Sequence, residues 1–216
     1  MKEVLLQADL CNTIFFQCIH EYHVHDNVDQ ALENPFNTEK EYIRNLLYLK
    51  CWIDTVQWHL EDAIRAPDIL PDDALKIKRR IDKSNQKRND TVEKIDEWLI
   101  QGFSAQNITR HVNAKMNSES PAWIIDRLSI LCLKIYHMEA EIKRADAPRE
   151  HREFCAGKLD LLNQQLADLT ACFNDLMGEI QEGKKYMKVY RQVKMYNDPA
   201  MNPVLYGQKK PNDKTS

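Results

Sequence analysis

Apolar residues recur at steps of three and four through most of the chain, which is the period of helices that bury one face. Leu5, Ala8, Cys11, Phe15, Ile19 and Tyr22 predict a first helix over about residues 2–24. After the turn Asn34-Pro35-Phe36-Asn37, Thr38 is a suitable N-cap. A second helix follows over about 39–65, with Leu46, Leu49, Ile53, Val56, Leu60 and Ala63 inward, and it stops ahead of Pro67. Pro71-Asp72-Asp73 opens a third helix with acids at its positive end, and this helix runs to about Leu99 or Ile100. The fourth, Pro121 to about Ala145, is apolar nearly all round in its middle and should be central. The fifth, Pro148 to about Tyr190, carries Cys155, Leu159, Leu162, Leu166, Leu169, Phe173, Leu176 and Ile180 in heptad spacing and should be the longest. No five-residue stretch alternates like a strand. The expected fold is all-α: a single-domain antiparallel bundle of about five main helices over residues 1–197, with a basic tail at 198–216.

The third helix breaks its own pattern. Between Ile81 and Val92 the inward positions fall to Ser84, Asn85 and Arg88. A buried guanidinium without a partner costs several kcal/mol or more, so a facing helix should supply a carboxylate. Glu61 and Asp62, beside Arg65 in WHLEDAIR, are the expected donors, with Arg88 largely buried. A second polar face, Asp82, Asn85, Asn89, Glu93 and Asp96, is rich in poor helix formers where a solvated face would favour Lys and Glu; a site and a plain surface both remain open there. Asp126, Arg127 and Lys134 lie on the fourth helix, which has little solvent face for charge. The candidate ligand-binding set is Glu61, Asp62, Arg65, Asp82, Asn85, Arg88, Asn89, Asp126, Arg127 and Lys134. Its mixed charge suits a small anionic ligand containing phosphate, a nucleotide or a sugar. Neither a catalytic residue, a cofactor nor a metal ligand is assigned.

Composition narrows the setting. Five Gly and eight Pro in 216 residues, with 29 % charged, fit helices better than sheets. From Lys184 onward eight basic residues face two acidic ones, so this end carries +6 of the net −3 and residues 1–183 carry −9. Tyr186, Tyr190, Tyr196 and Tyr206, with Met187 and Met195, predict that this segment folds back on the acidic body at least to Asn197, bringing Arg191, Lys194 or Asn197 towards a bound anion. A net charge of −3 disfavours a dedicated nucleic-acid binder. Six scattered cysteines without a C-x-x-C pair read as reduced core residues, and no apolar run approaches the ~20 residues of a membrane span. The opening MKEVLLQADLCN lacks the apolar core of a secretory signal, which leads to a cytoplasmic expectation. The fifth helix offers a seam for a homo-oligomer.

His20, His23 and His25 with Asp26 have metal-ligand chemistry, although a solvated helix end would look the same. Paired-carboxylate magnesium sites need E-x-x-E facing E-x-x-D. Glu93 and Asp96 match one half and nothing on the second helix matches the other, while Glu150/Glu153 and Glu179/Glu182 sit on one helix about 40 Å apart. No histidine has a Glu three residues before it, as di-iron bundles require, and no phosphate loop is present.

The words WHLEDAIR, KRRIDKSNQKRNDTVEKID, NSESPAWIIDRLSILCLKIYHM and YRQVKMYND, in this order, resemble a bacterial all-helical domain-of-unknown-function family, DUF4254, over roughly residues 45–200. Ala122-Trp123 departs from the Gly expected after Pro121. The resemblance implies that the polar words act together, and it carries no activity. Two readings stand side by side: an anion-binding protein, extending to a metal-assisted hydrolase, and a non-enzymatic interaction protein whose polar clusters fix helix packing and whose basic tail docks on an acidic partner.

Overall fold

The computed structural model describes residues 5–190. Its helices are α1 (Ala8–Tyr22), α2 (Tyr42–Ala63), α3 (Pro71–Ala105), α4 (Pro121–Lys143) and α5 (Arg149–Gln181), and the two-residue strands β1 (Lys115–Met116) and β2 (Lys185–Tyr186) pair in parallel. The all-α bundle expected from the periodicity is the fold observed. α4 packs against all four other helices, and the short link Arg144 to Pro148 turns α5 back along it. Ile125, Leu128, Cys132 and Leu133 of α4 are fully buried and meet Phe15 and Ile19 of α1, Leu47 and Cys51 of α2, Ile95 and Leu99 of α3 and Phe173 and Met177 of α5 in one core. α3 and α5 flank α4 while scarcely touching each other, so part of α4 forms the floor between them.

Several helix ends differ from the periodic reading. α3 runs past Ile100 to Ala105, because Phe103 still finds the core and the Cβ-free edge of Gly102 lets Leu5 come close. α5 stops at Gln181, not Tyr190, so at 33 residues it is shorter than the 35-residue α3 and is not the longest helix it was expected to be. Gly183 adopts φ +73°, and the amides of Gly183 and Lys184 donate back to the carbonyls of Ile180 and Glu179, both at 2.9 Å. This is the left-handed glycine cap that satisfies the last carbonyls of a helix. The chain then pairs β2 with β1, Arg110 lies over the Tyr186 ring, and Met187 packs on the core, whereas Tyr190 is exposed. The remainder of the expected docked tail, with Arg191, Lys194 and Asn197, and the boundary at 197 lie outside the described residues.

At the start of α4, Ser120 occupies the N-cap position but gives its hydroxyl hydrogen to Asp96 Oδ2 of α3 at 2.7 Å. Asp96 also accepts the Ala122 amide, so its carboxyl takes over the capping. Burial pushes its pKa up to about 6 against those two hydrogen bonds. Asp96 therefore serves the helix start and is not half of a carboxylate clamp.

Candidate functional site

Lys50 and Asp54 stand one turn apart on α2 and are both buried, Lys50 completely. Lys50 pairs with Asp54 on its own helix and reaches across to α4, where Nζ lies 2.9 Å from Asp126 Oδ1 and donates to the Asp126 carbonyl at 3.0 Å. Arg88 of α3 grips Asp126 with two bonds, Nε to Oδ1 at 2.7 Å and Nη2 to Oδ2 at 2.5 Å, and its Nε is 3.5 Å from Asp54 Oδ1. Ser129 donates to Asp54 Oδ2 at 2.6 Å. Two cations and two carboxylates from three helices thus form one closed network. Such a network offsets the desolvation of its members only while all are present.

The two carboxyls are driven apart. Burial raises the pKa of Asp54 more than Lys50 lowers it. Asp126 is also raised by burial, but the bonds from Arg88 and the nearby Lys50 charge outweigh that and leave it below the usual carboxylate range. Arg88 in turn is raised, mainly by its bonds to Asp126.

Arg88 is partnered as its position demanded, but by other acids than expected. Glu61 and Asp62 lie two turns beyond Asp54 on α2, about 10 Å along the axis, and pair with Arg65 just past the end of that helix at 3.1 and 3.7 Å, Asp62 and Arg65 being exposed and Glu61 half-buried. The helix crossing brings Arg88 level with Asp54 and Asp126 instead. The Arg88 side chain keeps 26 % exposure.

That exposed part matters because Arg88 stands between two clefts. The larger, about 620 Å³, lies on the α4 floor between α3 and α5, bordered by Arg88, Asp126, Arg127, Lys134, Gln165 and Asp168. The smaller, about 280 Å³, lies on the α2 side with Asp54, Trp58, Glu61, Asp62, Arg65 and again Arg88. Of the other candidates, Asn85 accepts from Gln57 at 2.8 Å and bridges α3 to α2, Asn89 is half-buried, and Asp82 is exposed and paired with Lys78.

Lys50 and Asp54 were missed from sequence. The signal existed: Lys50 and Asp54 are the only formal charges between Arg44 and Glu61, four residues apart in an otherwise apolar and aromatic run.

A second group gathers around His59, near the C-terminal end of α2. His23 closes α1, His59 is on α2 and His137 on α4, and one ring nitrogen from each lies within 4.8 Å of the others. His23 and His59 meet Nε2 to Nε2 at 3.2 Å, and Asp26 Oδ1 is 3.5 Å from His59 Nε2. Burial pushes the pKa of His137 down to about 4 and lowers that of His23, so both rings are neutral at neutral pH. His137 Nε2 is buried without a hydrogen-bond partner among the described residues, a state worth about 1–3 kcal/mol of lost solvation. His20 and His25, grouped with His23 in the sequence, stay exposed outside this cluster.

No helix among the described residues is long and apolar enough to cross a membrane. No curated protein and no solved structure matches the chain. The sequence model of the family described as "Protein of unknown function (DUF4254)" matches residues 44–189, which takes in the whole Lys50/Asp54/Arg88/Asp126 network, both clefts and two of the three clustered histidines. Matched over most of its length from α2 to β2, the chain belongs to the DUF4254 family.

Proposed function

We propose that this chain is a bacterial cytoplasmic protein that binds a small anionic ligand, a nucleotide or sugar phosphate, in the cleft between α3 and α5. The observation that carries this reading is the convergence of Arg88, Arg127 and Lys134 on one 620 Å³ cleft, a volume within the ~300–1,000 Å³ of small-molecule pockets. Arg88 is preset by its two-pronged hold on Asp126, so its remaining exposed edge meets a ligand with little loss of rotamer freedom. Arg127 and Lys134 are exposed at the rim and add charge that can rearrange. Five buried free thiols fit a reducing compartment.

Calorimetry with inorganic phosphate, nucleotides and sugar phosphates tests the reading. At least one phosphate ester is expected to bind, and the rim variant Arg127→Glu/Lys134→Glu should weaken it by about tenfold or more with the melting temperature unchanged, since surface substitutions stay within about 0.5 kcal/mol. Absence of binding across the panel at millimolar concentration overturns it. A second reading, an interaction protein, is favoured by the outer face of α5, where Phe154 and Leu161 remain 61 % and 55 % exposed two turns apart. Its occupant in this proposal is a second copy of the chain.

A further inference from the structure

We propose that His23, His59 and His137 hold a divalent transition-metal ion of the zinc type, with Asp26 as fourth ligand, pinning the end of α1 to α2 and α4. Tetrahedral zinc binds imidazole nitrogen at about 2.0–2.1 Å, which sets neighbouring nitrogens about 3.3 Å apart. The Nε2 atoms of His23 and His59 already stand at 3.2 Å, and a His137 nitrogen within 4.8 Å needs only a small closure. Asp26 supplies the oxygen. It sits just past the end of α1 with φ +47°, and its Oδ1 lies 3.5 Å from His59 Nε2.

The surroundings hold the rings as metal ligands are held. His23 Nδ1 donates to the Ile19 carbonyl at 2.6 Å, which leaves the Nε2 lone pair for the ion, the second contact that ligating histidines regularly make. His59 stacks on Tyr22 and His137 on Trp58, with interplanar angles of 10° and 5°. A bond between His59 and His23 accounts for two of the rings without any metal. It leaves His137 Nε2 buried and unpartnered among the described residues, and an ion would supply that partner. Three imidazoles and one carboxylate select zinc, cobalt, nickel or copper over magnesium and calcium, which prefer all-oxygen shells. The three histidines border neither cleft beside Arg88, so the site stands or falls apart from anion binding.

The full chain, stripped with a chelator and titrated with Zn²⁺ and with Co²⁺, decides the matter. One equivalent of Zn²⁺ should bind, raising the melting temperature by mass action, and Co²⁺ should show the intense visible absorption of a four-coordinate site. His59→Gln and His137→Gln should each weaken Zn²⁺ on the order of 100-fold, and His25→Gln should leave it unchanged. Should either variant fail to fold, stoichiometry and the Co²⁺ spectrum of the unaltered chain decide alone. No Zn²⁺ binding at about 100 µM, six-coordinate Co²⁺, or an equal loss in His25→Gln overturns the site. Unchanged affinity in Asp26→Asn removes Asp26 from it.

Discussion

Asp96 is a carboxyl used for structure, and its chemistry is readable in the pH dependence of stability. Its folded pKa is raised from 3.8 to about 6, so between those values the folded state holds a proton that the unfolded state has released. Stability from this group is present below about pH 3.8 and is lost as pH rises through about 6, by at most about 3 kcal/mol. The stability of the native chain minus that of Asp96→Asn should therefore fall by about 1–3 kcal/mol between pH 4 and pH 7 in urea unfolding. A flat difference refutes the assignment. Lys50 and Asp54 make the contrasting case: both are buried, and they are paired with one another and with Asp126, Arg88 and Ser129.

At the scale of elements, Gly178 inside α5 and Gly183 just beyond its end separate a weak point from a cap. Gly178 is inside the helix, and a Cβ built there meets nothing within 4 Å; Gly178→Ala should stabilise by about 0.5–1 kcal/mol. Gly183 is the left-handed cap, and a Cβ there would come 2.2 Å from the Thr109 carbonyl oxygen, while its own carbonyl accepts the His111 amide at 3.0 Å. Gly183→Ala should cost about 2 kcal/mol or more, because strain and the lost fit of the β1 connector add together. Denaturant midpoints that move the same way for both variants would refute this account of the α5 end.

In the whole molecule, α4 is the hub and the clefts are what its neighbours leave uncovered. The heptad stripe of α5 is used inside the protomer: Phe173, Leu176 and Ile180 are buried, and Leu166 and Leu169 pack against the core. A second copy would meet Phe154 and Leu161, and two apolar anchors support only a weak dimer. Sedimentation is expected to show concentration-dependent dimerisation that Leu161→Glu abolishes. A chain that stays monomeric at about 100 µM contradicts it, since contacts this small bind at or weaker than micromolar strength.

The sequence by itself determined the helices and the hub. Periodicity and breakers such as Pro67, Pro71 and Pro121 act locally, and α4 had almost no polar circumference to expose. It also marked Arg88 as a guanidinium in need of carboxylates, because three polar residues stood in an apolar stripe. Which carboxylates answered was decided by the tertiary structure: Asp54 and Glu61 are two turns apart on one helix, and only the crossing of α2, α3 and α4 chooses between them. The end of α5 likewise followed from Gly183 meeting the Thr109 and His111 connector, a contact across more than 70 residues. His23, His59 and His137 carry no spacing motif, since each comes from a different element. Their meeting exists only because three helix segments converge there, and local pattern contains no information about convergence.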